Sequence, residues 1–188
     1  MVFGERVRAA TYDLALNDEA QRALRMYVSD SLPTVRGVFI FCNGGGSDAR
    51  WAASTPELTQ MATSWGFALI ATSQWRGFYD SNELQSFLTQ VNALAQMSHR
   101  PELVNVPWVP TGDSNGGIMS YQLNLTYPEK TLFVEISKYG GAQTTLNTRP
   151  PTNVIQTPGL FIAGEKDLPE NVASVKDLFT GNRPRGAL

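Results

Sequence analysis

Short apolar runs alternate with helical stripes along most of this chain, and few folds accept that pattern. The runs lie at residues 35–42 (VRGVFIFC), 67–73 (FALIATS), 104–112, 132–136 and 159–163. Several are apolar throughout rather than at every second position, as expected of strands buried on both faces of a sheet. Between them the periodicity changes. Ser54 with Glu57 reads as a capping box, Pro56 falls in the first turn, and Gly66 stands where that helix should stop. Asp80 with Glu83 opens a second helix, whose apolar stripe is Leu84, Phe87, Leu88, Val91 and Leu94. Residues 116–127 read as a third helix stopped by Pro128, and residues 171–180 as a fourth.

The expected fold class is therefore α/β, a mostly parallel sheet with helices on both faces. An antiparallel hairpin of residues 6–16 and 22–28 precedes it. Two features fit this scheme less well. Pro107 and Pro110 fall in what should be a central strand and lack the ladder N–H, so that strand is expected to begin near Pro107 and finish near Pro110. The alternation also calls for one more strand where the sequence reads Arg185-Gly186-Ala187-Leu188. A single domain spanning 1–188 and lacking its C-terminal strand is the expectation. In that case residues 159–163 form a sheet edge without Lys or Pro to blunt it. Such an edge favours pairing with a second copy, or cover by the tail from residue 171 onward.

Composition removes several functional classes. With 188 residues the chain can bury roughly 70% of its unfolded surface and needs no disulfide or metal to fold. Fifteen Lys+Arg against 17 Asp+Glu leave a net charge of −2, which gives no footprint for nucleic acid or an anionic membrane. Cys42 stands alone, no Cys/His cluster could hold zinc, and no cofactor is expected. No apolar run nears the roughly 20 residues of a membrane span. The opening MVFGERVRAA lacks the apolar stretch of a signal peptide, which leaves the cytoplasm as the default location.

In an open α/β sheet, ligands bind beyond the carboxyl ends of the strands. There the chain carries Gly112-Asp113-Ser114-Asn115-Gly116-Gly117, a G-x-S-x-G between a strand and a helix. This is the pattern of a nucleophile elbow, a strained turn that lifts a serine hydroxyl above the sheet. Asn43-Gly44-Gly45-Gly46 closes an earlier strand. Acyl transfer needs backbone N–H groups aimed at a developing oxyanion. Asn115 can supply one, and Gly45 or Gly46 another, because bare glycine lets the backbone approach the substrate. Gly164-Glu165-Lys166-Asp167 follows the last apolar run. A catalytic acid belongs beyond a strand end on the serine's side, and Asp167 is the better placed of the two carboxylates.

On these motifs the chain resembles the α/β-hydrolase-fold serine hydrolases. NGGG is similar to the HGGG oxyanion motif, and GDSNGG to the elbow of hormone-sensitive-lipase-like esterases. The rest is closer to compact polyhydroxybutyrate depolymerases, feruloyl esterases and dienelactone hydrolases. The resemblance covers about residues 35–167, with Asn43 where the family has His. It implies a carboxylic ester hydrolase, small-molecule or polymeric, that forms an acyl-enzyme on Ser114.

The departure from the family is the histidine. The family's order is Ser, acid, His, yet the single His99 precedes the serine's strand. About 20 Å of strand would separate it from the hydroxyl, far beyond the reach of a general base. A place at a helix C-terminus suits it better. Chain and resemblance together predict an esterase that is nearly inert without a base. The alternative is an α/β-hydrolase-like binding protein that keeps the pocket and lacks the triad. Among aromatic residues, Trp75 and Tyr139 are expected to contact substrate, with Trp51, Phe78 and Tyr79 gathered at the same edge. A nucleotide-binding reading of the triglycine finds neither GxGxxG nor GxxxxGK[ST].

Overall fold

The computed structural model describes residues 9–75, 77, 81–139 and 156–182. Its strands are β1 (Ala9–Ala15), β2 (Ala23–Ser29), β3 (Gly37–Cys42), β4 (Phe67–Ser73), β5 (Trp108–Ser114), β6 (Val134–Tyr139) and β7 (Gly159–Ile162). Its helices are α1 (Pro56–Trp65), α2 (Ser81–Met97), α3 (Asn115–Thr126) and α4 (Pro169–Asn182). The strands form one sheet in the order β1-β2-β4-β3-β5-β6-β7. β1 and β2 form the antiparallel hairpin, β2 also runs antiparallel to β4, and the strands from β4 to β7 are parallel. The expected fold class holds.

Alternation along the central strands sorts side chains between two layers. Val38, Ile40, Ile70 and Trp108 face one side, where the α2 stripe of Phe87, Val91 and Leu94 and the α3 residues Met119 and Leu123 meet them. Val175 and Leu178 of α4 extend that layer over Val134 and Ile136. Phe39, Leu69 and Val109 face the other side, packed by Ala62 of α1 and by Ala52 and Ala53 of a 3₁₀ turn, Arg50–Ser54. Burying side chains of this size contributes about 1.5–3 kcal/mol each, which makes the two layers the main source of stability.

Two local expectations need correction. The N-cap of α1 is Thr55, one residue after the expected Ser54, and it makes no side-chain cap bond. Its hydroxyl donates backward to the Trp51 carbonyl (3.0 Å), and the Ser54 hydroxyl receives Arg25. Pro56 at the first helical position and Gly66 at φ 74° do bound the helix as expected. Pro101–Val104 is a 3₁₀ turn, and β5 starts at Trp108, beside Pro107 as expected.

Pro110, however, does not end β5, which runs on to Ser114. Trp108 directs its N–H to Lys130 and its C=O to Leu132, whereas Pro107 serves Val38 of β3. Pro110 shares the parity of Trp108, so its missing donor points to the β6 side, and the β5–β6 pairing begins only at Thr111. A central strand tolerates this proline because it falls between the isolated bridge of Trp108 with Thr131 and the regular β5–β6 ladder, where no ladder N–H is required of it.

Candidate active site

β5 ends in Ser114, and α3 begins at the next residue. Ser114 adopts φ 54° and ψ −120°, a conformation that non-glycine residues rarely hold. Such a residue costs on the order of 1–3 kcal/mol and persists only where its surroundings over-determine it. Here they do. A Cβ on Gly116 would lie 2.3 Å from the Cys42 carbonyl oxygen. One on Gly112 would lie 2.5 Å from the Gly116 carbonyl carbon. The turn is thus pressed against β3 at two positions where only glycine fits. A register shift in the β5–β6 pairing falls at the same point. Asp113 faces Ser137 and Ser114 faces Tyr139, so Lys138, at φ 52°, is the extra residue.

The triglycine loop lies over this turn. A Cβ on Gly45 would be 2.9 Å from the side-chain Nδ2 of Asn115, and one on Gly44 would be 3.4 Å from an Asp113 carboxylate oxygen. Gly46, at φ 66°, has open space around it. Asn43, buried, fixes the loop's base. Its Nδ2 donates to the carbonyls of Gly44 (2.7 Å) and Trp75 (2.8 Å). Its Oδ1 accepts from the Thr72 hydroxyl (2.6 Å) and the Trp75 N–H (3.2 Å). An amide here satisfies two carbonyls and two donors at once. As the first residue of α3, Asn115 has an N–H with no intrahelical acceptor, at the positive end of the helix dipole.

Asp167 follows β7 in a turn closed by its own N–H on the Gly164 carbonyl (3.1 Å). Its Oδ1 accepts from the Leu168 N–H (2.7 Å) and Asn171 Nδ2 (3.0 Å), and Lys138 Nζ stands 3.8 Å away. The Asn171 amide first, then the Leu168 N–H and the Lys138 charge, hold its carboxyl below the ordinary carboxylate value. Neighbouring Glu165 is exposed. Lys138 therefore links the serine's bulge to the acid's loop, a connection no sequence pattern announces.

The remaining expected residues fall elsewhere. Trp75 is wholly buried, edge-on to Phe87 (5.8 Å) and beneath the Arg22 guanidinium (4.7 Å), so its side chain is a core residue rather than a substrate contact. Trp51 is exposed on its 3₁₀ turn. The Tyr139 side chain, Phe78, Tyr79 and Asp80 lie outside the described residues. Burial pushes the Cys42 thiol up to about 12, which leaves it inert.

His99 is exposed, at the C-terminus of α2, with φ 54°. The Arg100 N–H bonds to Ala95 O and the His99 N–H to Gln96 O, the pair of bonds that closes a Schellman cap. β5 begins only after the turn that follows, and its six steps to Ser114 span about 20 Å. Among the described residues no group of three His, Cys, Asp or Glu could hold a metal ion. No described helix is long and apolar enough to cross a membrane.

No family model matches the chain, and no curated protein matches it in sequence. Solved structures do. A ferulic acid esterase superposes with TM-score 0.70 at 10% identity, over 97% of this chain and 89% of its own. A thermostable esterase gives 0.68 at 13% identity, over 94% of this chain and 52% of its own. The Staphylococcus aureus fluorophosphonate-binding serine hydrolase FphF gives 0.61 at 14%, over 92% and 86%. At these identities the likeness is one of fold. The chain has the α/β-hydrolase fold.

Proposed function

We propose that this chain is the core of a serine hydrolase that cleaves carboxylic esters through an acyl-enzyme on Ser114. The reading rests on one observation above all, the Ser114 backbone at φ 54° and ψ −120° between glycines that admit no side chain. Strain of that kind is maintained at functional sites, and this turn presents a hydroxyl at the sheet's carboxyl edge. Ser114 Oγ attacks the ester carbonyl and gives its proton to a base. The N–H groups of Asn115 and of Gly45 or Gly46 hold the oxyanion as it forms. Collapse of the tetrahedral intermediate expels the protonated alcohol, and water then hydrolyses the acyl-enzyme. Asp167 orients an imidazole and stabilises its charged form.

That imidazole is not in these 188 residues, since His99 is the single histidine. The same observation favours a second reading, a protein that binds ester-like ligands without turning them over. Added imidazole separates the two. Under the hydrolase reading, turnover of p-nitrophenyl acetate by the chain alone is nearly nil and rises with imidazole, and Ser114→Ala abolishes the rise beyond the free-imidazole rate. Under the binding reading, imidazole gives the same rate with either protein. Turnover near 10 s⁻¹ without imidazole, an ordinary enzyme value, overturns the account of the base.

A further inference from the structure

Two asparagines flank the triglycine loop, and the fold uses them differently. Asn43, at its base, is saturated, its amide donating two hydrogen bonds and accepting two. The side-chain amide of Asn115, on the elbow opposite, makes none with any described residue. Asn115 is nevertheless only partly exposed, and its amide lies against the loop. A Cβ on Gly45 would be 2.9 Å from its Nδ2, 3.4 Å from Cγ and 3.9 Å from Oδ1, so the nitrogen edge is the one that faces the glycine. Asparagine usually serves a helix start by capping it from the position before the first turn. That position belongs to Ser114, and no side-chain bond caps α3 there. The elbow itself uses only the main-chain N–H of the residue after the serine. Neither capping nor the turn explains an amide at 115. The Gly45 N–H and the Ser114 hydroxyl also make no hydrogen bond among the described residues. Unused polar groups therefore collect where the loop meets the elbow.

We infer that the Asn115 side chain is a third oxyanion donor, beside the N–H groups of Asn115 itself and of the triglycine. This role rests on the serine-hydrolase reading of Ser114. When Ser114 Oγ adds to the ester carbonyl carbon, the π electrons of the C=O bond move onto oxygen, which then carries the negative charge. Asn115 Nδ2 donates an N–H to that charge. A main-chain donor and Nδ2 belong to one residue, and Nδ2 leans on the glycine that carries the other, so three donors sit on two residues in contact. The neutral carbonyl of the substrate needs such a donor less than the anion does, so the amide acts on the transition state more than on binding. An amide suits the task because it donates without titrating and brings no charge of its own. The neighbouring polar side chains cannot take it. Asp113, leaning on Gly44, only accepts when ionised, and Lys138 is turned to Asp167.

The test uses the full chain, p-nitrophenyl acetate and imidazole at one fixed concentration. Asn115→Ala removes the amide and keeps the main-chain N–H, whereas Asn115→Leu removes the donor and fills its space. Both are expected to lower kcat about tenfold to a hundredfold, the weight of one hydrogen bond to a charged group. KM is expected to stay within about twofold, since binding of the neutral ester is hardly touched. The thiono ester of the same phenol, whose sulfur accepts hydrogen bonds weakly, is expected to lose several-fold less. Both esters are read on one protein preparation, so any fraction that fails to fold cancels from their ratio. Leucine that restores the turnover alanine loses would make Asn115 a packing residue and overturns the proposal. So do a loss carried by KM alone, an equal loss on both esters, or kcat unchanged in both variants. Each of these leaves the serine-hydrolase reading intact, because the unsubstituted chain still responds to imidazole. No imidazole-dependent turnover of the unsubstituted chain, or turnover that survives Ser114→Ala, overturns both.

Discussion

Glycine positions around Ser114 differ in what they forbid, and substitution should separate them. Gly116→Ala drives a methyl to 2.3 Å from the Cys42 carbonyl oxygen, a clash with backbone that cannot rotate away. We expect a loss of about 3 kcal/mol in urea unfolding, at the upper end of overpacking costs. Gly46→Ala meets no atom and pays only for φ 66°, so about 1 kcal/mol is expected. Equal losses at the two sites would contradict the packing described here. Asp167 gives a pH test. Its folded pKa lies below the ordinary 3.8, so its contribution is full above that value and fades as pH falls through the folded pKa. Asp167→Asn should remove that part of the acid limb, flattening stability below about pH 4 while leaving the neutral range parallel. The serine and its glycines were legible in the sequence because the motif encodes a steric need within six residues. Lys138 was not, because its place opposite Ser114 comes from a register shift between strands far apart in sequence.

Elements follow the same logic at longer range. Helix stripes and the Gly66 cap were legible because 3.6-residue periodicity and left-handed glycine are local properties. The α1 N-cap was misplaced by one residue, since Ser54 serves Arg25 across the fold rather than the helix beside it. The end of β5 was misplaced for a similar reason. A proline in a central strand is tolerated or not according to which neighbour its nitrogen faces, and sequence does not carry that parity. The α2 terminus supplies a prediction that bears on function too. His99 holds the left-handed position of a Schellman cap, where glycine is the unstrained choice. His99→Gly should raise stability by about 0.5–1 kcal/mol and leave imidazole-dependent turnover unchanged. A loss of turnover would place His99 in the chemistry after all.

At the scale of the whole molecule, one end of one sheet collects everything the proposed chemistry uses from this chain. The loop after β3, the turn after β5, the bulge in β6 and the turn after β7 are four separate connections, and the strand order sets β3, β5, β6 and β7 side by side. Parallel strands make this possible by ending at a common edge. The α/β class was legible from alternation alone, whereas the strand order was not, because crossovers leave no local mark. The central claim is that Ser114 is a nucleophile in a preformed oxyanion site that lacks only an imidazole. Reaction with a fluorophosphonate, read by mass spectrometry of digested protein with and without added imidazole, tests it most directly. The account predicts a single adduct on Ser114 that forms faster with imidazole and is absent from Ser114→Ala. An adduct on another residue, or no adduct at any imidazole concentration, would contradict it.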